Sequence, residues 1–198
     1  MKNIKIAVTG GIGSGKSTVL KMIRDFGYPV VSCDEVYADL LLDEGFVRLI
    51  SDEMGVLPLI FGGRLTLDRK SIAKIVFNDG LMLKKLNELT HNAIFQKAFS
   101  LYDEKIVFYE VPLLFEGGYV ELFDDVFVVL RNYEDRVQSA INRDGLSREE
   151  VEKKMKNQVD YGKITLSNYV VIKNYDGVEG LENCVKGAIE HIKEKFGI

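Results

Sequence analysis

One glycine-rich stretch near the N-terminus limits the fold more than any other feature of the sequence. It begins at Gly10, ends at Thr18 and contains the full pattern G-x-x-x-x-G-K-[ST]. The apolar run Ile4–Val8 precedes it. Apolar residues at helical spacing follow from about Lys16, and Gly27 is the predicted stop of that helix. Glycines allow the backbone to wrap around a phosphate group, which the positive end of the following helix also faces. The stretch therefore predicts an ATP site formed by Gly11, Ile12, Gly13, Ser14, Gly15, Lys16, Ser17 and Thr18.

Two side chains of this stretch have predicted roles in phosphoryl transfer. Lys16 is expected to reach the β- and γ-phosphates, and the Ser17 hydroxyl is expected to ligate magnesium. The motif, the strand before it and the helix after it agree, so a chance glycine-rich turn is the weaker interpretation. The motif does not indicate by itself what is done with the nucleotide.

Short, uniformly apolar segments recur along the chain. Uniformly apolar strands separated by helices are typical of a parallel sheet that is covered on both faces. The sequence thus predicts an α/β fold of the P-loop NTPase type, with helices on both faces of a five-stranded parallel sheet. Its strands are expected at Ile4–Val8, Pro29–Cys33, Ile106–Tyr109, Val126–Leu130 and Tyr169–Ile172.

The segments between these strands predict a single kinase domain with two helical additions. Residues 36–101 lack a clear strand and show helical patterns around Phe46–Met54, Arg69–Phe77 and Leu81–Phe99, which predicts a helical insertion for the acceptor. Tyr133–Asn142 and Arg148–Gln158 predict a helical hairpin that acts as a lid at about 133–158. The core is then about 1–35 and 102–198, and Val178–Phe196 is a C-terminal helix.

Composition excludes several classes of protein. The net charge of −4 argues against a general nucleic-acid binder, which needs a basic excess. Cys33 and Cys184 lack metal-ligand spacing, so a reducing cytoplasm is the expected location. No segment has the ~20 apolar residues of a membrane helix. The first apolar run is too short for a signal peptide.

Two acids follow predicted strands, at the sheet edge where the glycine-rich stretch lies. Asp34 is a candidate general base that accepts the proton of an acceptor hydroxyl, a candidate magnesium ligand, or a solvated cap of the next helix. Glu110 is placed to hold magnesium through water, or is an ordinary acid at a strand end. The residue types alone leave these alternatives open.

The predicted hairpin carries candidate phosphate ligands. Arg136 and Arg143 are seven residues apart and share a helix face, and an arginine that closes over a transferring phosphate neutralises developing charge. Arg143 is the stronger candidate because it lies where the helix enters the turn. The other charges of the hairpin nearly cancel, which indicates a solvated surface.

Taken together, the motifs resemble the dephospho-CoA kinase family over nearly the whole chain. The resemblance rests on 9–18, Asp68-Arg69, Val76-Phe77, Arg136, Arg143, Gln158, Asn168–Ile172, Asn174 and above all on the segment Pro112-Leu113-Leu114-Phe115-Glu116. It implies transfer of phosphate from ATP, with Mg²⁺, to the ribose 3′-hydroxyl of dephospho-CoA. It also implies that Asp34 is the catalytic base and that Arg136, Arg143 and Asn174 bind the nucleotide.

The sequence departs from the family pattern on the acceptor side. Ser32 and Ala38 replace a family Asp and Arg, Asn92 replaces the Pro of a His-Pro pair, and Glu110 replaces an Asp. Another small-molecule or nucleotide kinase is the alternative, which the Pro112–Glu116 segment disfavours. A GTP-dependent switch protein is a further alternative, although the chain has no Asn-Lys-x-Asp guanine reader.

Overall fold

The computed structural model describes residues 3–164 and 169–198. These residues form two compact units, Met1–Val30 with Asp103–Ile198, and Val31–Tyr102. Asn168, one of the residues that carry the family resemblance, lies outside the described residues. None of the described helices is long and apolar enough to cross a membrane.

The main sheet confirms the predicted α/β fold. It has five parallel strands in the order β2-β5-β1-β6-β7, with helices on both faces. In this sheet β1 pairs in parallel with both β5 and β6, and β6 pairs in parallel with β7. The strands are β1 (Ile4–Thr9), β2 (Val30–Ser32), β5 (Ile106–Glu110), β6 (Asp125–Leu130) and β7 (Tyr169–Lys173).

The first unit also contains four α-helices among its described residues. They are α1 (Lys16–Asp25), α6 (Tyr133–Asp144), α7 (Arg148–Lys156) and α8 (Gly177–Phe196). Side chains from the strands, α1 and α8 form one core, in which Ile6, Phe108 and Phe127 are fully buried. Each such side chain contributes roughly 1.5–3 kcal/mol through burial, and this packing holds α1 against the sheet.

Helix α1 starts and stops at glycines for different reasons. Gly15 occupies the N-cap position with a φ of 94°, and no side chain caps the helix there. No side-chain cap therefore competes with an anion for the N–H groups at the start of the helix. Gly27, predicted as the stop, has a φ of 88° and donates its N–H to the Arg24 carbonyl at 2.8 Å.

The second unit is mainly helical. It contains α2 (Cys33–Leu40), α3 (Glu44–Met54), α4 (Arg69–Asn78) and α5 (Gly80–Ser100). Aspartate side chains accept backbone N–H groups at the starts of α3, α4 and α5, at 2.9 Å for Asp43 and 3.1 Å for Asp68. Such caps stabilise a helix by about 1 kcal/mol each and explain where these helices begin.

The prediction that residues 36–101 lack a strand is wrong. Strands β3 (Leu59–Phe61) and β4 (Arg64–Thr66) pair antiparallel as a small sheet of their own. The link between them is Gly62-Gly63, with φ values of 57° and 77°. A two-residue turn with two positive φ angles joins hairpin strands with the correct twist, and the Gly-Gly pair is the local signal for it.

Candidate active site

The glycine-rich stretch forms a loop between β1 and α1. Gly13 has a φ of 72° and Gly15 a φ of 94°, in the left-handed region that favours glycine. A side chain at Gly13 would collide with the backbone carbonyl of Arg136, and one at Gly15 with the amide of Asn174. These two positions therefore need glycine for space as well as for conformation.

Polar atoms inside the loop suit an anionic ligand. The Lys16 ammonium donates to the Gly10 carbonyl at 2.7 Å, so the charge lies over the loop. The Ser14 hydroxyl is buried and has no hydrogen-bond partner among the described residues. A buried polar atom without a partner is costly, and a phosphate group is one ligand able to satisfy it.

Side chains from distant segments bind the loop backbone. Asn174, directly after β7, donates to the Ser14 carbonyl at 2.9 Å. Gln158, just beyond α7, accepts the Ile12 N–H at 2.8 Å. Arg131, directly after β6, donates to Ser139 at 2.6 Å and makes a long contact with the Gly13 carbonyl at 3.5 Å. The loop conformation is thus held from several sides.

Helix α6 places Arg136 and Arg143 in different surroundings. The Nε of Arg136 donates to the Ile12 carbonyl at 3.0 Å, and its guanidinium packs against Gly11. Burial lowers the pKa of Arg136, yet an arginine remains a cation throughout the usual pH range. Arg143 lies in the last turn of α6, is mostly exposed and donates twice to Asp144, at 2.7 and 2.9 Å. Of the two arginines, Arg136 contacts the loop here.

The Pro112–Glu116 segment is tied to the chain that follows α7. The Tyr161 hydroxyl donates to the Pro112 carbonyl at 3.2 Å, and the Tyr161 ring packs edge-on against Phe115. The Glu116 carboxylate accepts the N–H of Val159 at 3.1 Å. Burial raises the pKa of Tyr161 to about 12, so this hydroxyl stays a hydrogen-bond donor at neutral pH. This segment therefore has a defined packing role beside the loop.

Oxygen ligands for a magnesium ion are present around the loop. Ser17 and Thr18 are exposed in the first turn of α1. Glu110 ends β5 and is opposite Val8 of β1, the strand that leads into the loop. The described residues contain no cluster of three or more His, Cys, Asp or Glu side chains that could hold a metal alone. A hydroxyl and one carboxylate still fit Mg²⁺, which usually takes few protein ligands and completes its shell with phosphates and water.

Asp34 lies in the first turn of α2 and is exposed. The N-cap of that helix is Ser32, whose hydroxyl accepts the Glu35 N–H at 3.5 Å. The alternative that Asp34 serves as the helix cap is therefore wrong, and its carboxylate is not needed for that purpose. Ala38 on α2 and Asn92 on α5 are also exposed.

Sequence reasoning missed part of this arrangement. Tyr161 and Arg131 were not singled out, and Gln158 was noted only through the resemblance. Each contacts a partner about 50 or more residues away, namely Pro112, Gly13 and Ile12. No local periodicity or short motif encodes such contacts, so only the folded chain reveals them.

The chain is similar to known proteins over most of its length. The family model for dephospho-CoA kinase matches residues 4–179. The dephospho-CoA kinase of Thermus thermophilus is 34% identical over 96% of this chain and 92% of its own length. That of Fusobacterium nucleatum is also 34% identical, over 94% of this chain and 97% of its own.

Solved structures give the same result. A crystal structure from Thermus thermophilus superposes with a TM-score of 0.74 at 33% identity, and covers 96% of this chain and 98% of its own. Dephospho-CoA kinase from Campylobacter jejuni gives 0.64 at 25% identity, with the same coverage. A gluconokinase from Sinorhizobium meliloti, at 15% identity and a TM-score of 0.51, shares the fold. The chain belongs to the dephospho-CoA kinase family.

Proposed function

We propose that this protein transfers the γ-phosphoryl group of ATP to the ribose 3′-hydroxyl of dephospho-CoA, which yields coenzyme A and ADP. The observation that carries the proposal is the loop at the start of α1, with glycines at the left-handed positions and Lys16 folded over it. The family match over residues 4–179 supports dephospho-CoA as the acceptor. The cytoplasm is the proposed location, and the two free cysteines suit its reducing conditions.

The nucleotide side works mainly through backbone groups. The N–H groups of the loop and of the first turn of α1 bind phosphate oxygens, and the α1 dipole adds to their effect. Lys16 exchanges the Gly10 carbonyl for phosphate oxygens when ATP binds. Because these donors are held in place before the nucleotide binds, little binding free energy is lost in ordering the loop.

Magnesium is part of the proposed site. Ser17 would hold it directly and Glu110 through water, as their oxygen chemistry allows. When bound, the ion neutralises charge that develops on the phosphates during transfer.

The acceptor side requires one proton transfer. The 3′-oxygen forms a new bond to the γ-phosphorus while the bond from that phosphorus to the β–γ bridging oxygen breaks. The hydroxyl proton passes to the carboxylate of Asp34, and the electron pair of the broken bond stays on ADP. Ser32 caps α2, so the Asp34 carboxylate is available for this role.

Two arginines stabilise the transferred group. Arg136 is anchored by its Nε to the Ile12 carbonyl, which leaves the outer guanidinium nitrogens for phosphate oxygens. When the hairpin closes, Arg143 leaves its exposed ion pair with Asp144 and binds the nucleotide phosphates. An exposed ion pair is worth about 0–1 kcal/mol, so this exchange costs little.

Product analysis tests the proposal. The protein is mixed with ATP, Mg²⁺ and, separately, dephospho-CoA, AMP or adenosine, and phosphorus NMR locates the new phosphate. We expect the 3′-phosphate, with kcat/KM for dephospho-CoA at least ~10²-fold higher than for the smaller acceptors. Equal efficiency with AMP, and formation of ADP from it, would assign the protein to the nucleotide kinases instead.

A further inference from the structure

A single residue of the phosphate-binding loop is held by both ends of the helical hairpin α6–α7. The N–H of Ile12 donates to Oε1 of Gln158 at 2.8 Å. The carbonyl of Ile12 accepts Nε of Arg136 at 3.0 Å. Arg136 lies near the start of α6 and Gln158 lies just beyond α7, so the hairpin fixes the backbone on both sides of Ile12.

The Ile12 side chain belongs to the small core of the same hairpin. Val137 and Ala140 of α6 and Val151 of α7 are buried together, and Ile12 packs against them. A partly buried loop residue therefore packs against the core of the hairpin. A displacement of either helix would disturb Ile12, because a packed core transmits small shifts.

Close packing next to Ile12 restricts the loop further. A Cβ at Gly11 would collide with the Arg136 guanidinium, and one at Gly13 with the Arg136 backbone carbonyl. The peptide groups on either side of Ile12 thus have little room to rotate. The two hydrogen bonds then determine which way the Ile12 N–H and carbonyl point.

We infer that Gln158 is a positioning residue for nucleotide binding: through the Ile12 N–H, it holds the phosphate-binding loop in the conformation that accepts a nucleotide. It acts through the loop and touches no reacting atom. The inference rests on the proposed function only in requiring that ATP binds this loop, and the identity of the acceptor does not enter.

Removal of the Gln158 side-chain oxygen, which accepts the Ile12 N–H, should weaken nucleotide binding. Without Gln158 the partly buried Ile12 N–H loses its partner, and such a group costs about 1–3 kcal/mol when it is left unsatisfied. The loop can escape that cost by turning the peptide toward water, and it must then reorder whenever a nucleotide binds. Because the loop binds phosphates shared by both nucleotides, the loss should be similar for ATP and ADP.

The test replaces Gln158 by Met, which preserves length and removes the hydrogen-bonding groups. We expect Gln158→Met to raise the calorimetric Kd of ATP and of ADP by about five- to tenfold, the scale of one lost hydrogen bond. Gln138→Met is the matched control, since Gln138 is exposed on α6 and bonds only to Asn142 among the contacts that the structure describes. The control should bind both nucleotides as the unaltered protein does.

A second readout separates positioning from a general loss of structure. Gln158→Glu keeps an acceptor oxygen, so in the nucleotide-free protein the Ile12 amide should exchange with solvent as slowly as before. In Gln158→Met the same amide should exchange faster, while the Val137 and Val151 amides within the hairpin helices stay protected. Glu adds a negative charge beside the proposed phosphate site, which would itself lower the affinity for nucleotides. The Glu variant is therefore used for amide exchange only.

Two outcomes would overturn the inference. One is a Gln158→Met protein whose Kd values for ATP and ADP stay within twofold of those of the Gln138→Met control. The other is equal exchange of the Ile12 amide in the Met and Glu variants. Neither measurement includes a phosphoryl acceptor, so both can be interpreted even if the 3′-phosphorylation assay fails. A negative result for Gln158 would in turn leave the proposed reaction intact.

Discussion

The two units of the molecule hold their candidate functional groups in different ways. In the first unit the loop backbone is fixed by a side chain of α6 and by side chains that directly follow β6, α7 and β7. In the second unit the candidate base Asp34 is an exposed residue of a short helix whose cap is a single serine hydroxyl. In the proposed reaction, phosphate is thus bound by many pre-placed weak donors, whereas activation of the acceptor hydroxyl depends on one carboxylate.

The surfaces of the two units differ as well. Large apolar side chains of the second unit are exposed, among them Ile60, Phe61, Phe77 and Leu81, each with at least 76% of its surface accessible. The largest fully buried side chains are mostly in the first unit, such as Tyr109 and Phe127. Loss of one neutral hydrogen bond to the loop should reduce activity gradually, whereas loss of a charged group that acts alone, such as Asp34 or Lys16, should reduce it steeply.

The steepest loss is expected at Asp34. Asp34→Asn keeps the shape of the side chain and removes its basicity, so kcat should fall by ~10²–10⁴-fold. The Kd of ATP should change little, because the loop is unaltered. Stopped-assay kinetics and calorimetry measure the two quantities. Asp39→Asn, an exposed change on the same helix, is the control. Normal turnover of Asp34→Asn would remove Asp34 from the reaction.

A large loss is also expected at Lys16. Lys16→Ala removes the ammonium group that lies 2.7 Å from the Gly10 carbonyl, and kcat should fall by at least ~10²-fold, the scale of one lost transition-state donor. Circular dichroism should show an intact fold. Lys21→Ala on the same helix removes only an exposed pair with Asp25 and serves as the control. A folded Lys16→Ala protein with near-normal turnover would contradict the proposed role of the loop.

Arg143 should show an intermediate effect. A guanidinium binds phosphate with two parallel donors that an ammonium cannot copy, so Arg143→Lys should lower kcat by about tenfold. The melting temperature should hardly change, because the pair with Asp144 is exposed. Arg148→Lys is the control, since Arg148 binds Glu134 and Glu152 within the hairpin. Equal kcat for Arg and Lys at position 143 would mean that this residue belongs to the solvated face.

Much of the fold could be predicted from sequence because its signals are local. Uniformly apolar strands, the glycine-rich loop and the Gly27 stop each lie within a few residues, and the structure confirms the resulting sheet and α1. The β3–β4 hairpin was missed although its Gly62-Gly63 signal is also local, because each strand has only three residues and neither contains a buried one. The boundaries of α6 and α7 differ from the prediction by about two residues.

The candidate site could be predicted only where the chain itself brings residues together. The loop from Gly10 to Ser17 is contiguous, so its motif could be read directly from the sequence. The preference for Arg143 over Arg136 came from helix position alone. In the structure the two arginines differ in the residues that they contact, since Arg136 donates to Ile12 of the loop and Arg143 donates to Asp144. Phosphate contact by Arg143, catalysis by Asp34 and acceptor binding by residues 36–101 stay predictions.

The smallest effect is expected at Ser32, where this chain departs from the family pattern. The Ser32 hydroxyl caps α2 through a long contact of 3.5 Å with the Glu35 N–H. Ser32→Ala should therefore lower the free energy of unfolding by about 0.5–1 kcal/mol, the lower part of the range for a lost cap. Ser32→Asp restores the family residue and keeps a good cap, so its stability should stay within about 0.5 kcal/mol of the unaltered protein. Urea unfolding of the three proteins gives these values. The kcat with dephospho-CoA should fall in the Ala variant alone, since a frayed first turn moves the proposed base Asp34. If Ser32→Ala is as stable as the unaltered protein and keeps its kcat, the serine cap has no part in holding Asp34, and the position of this carboxylate is then set by the rest of α2.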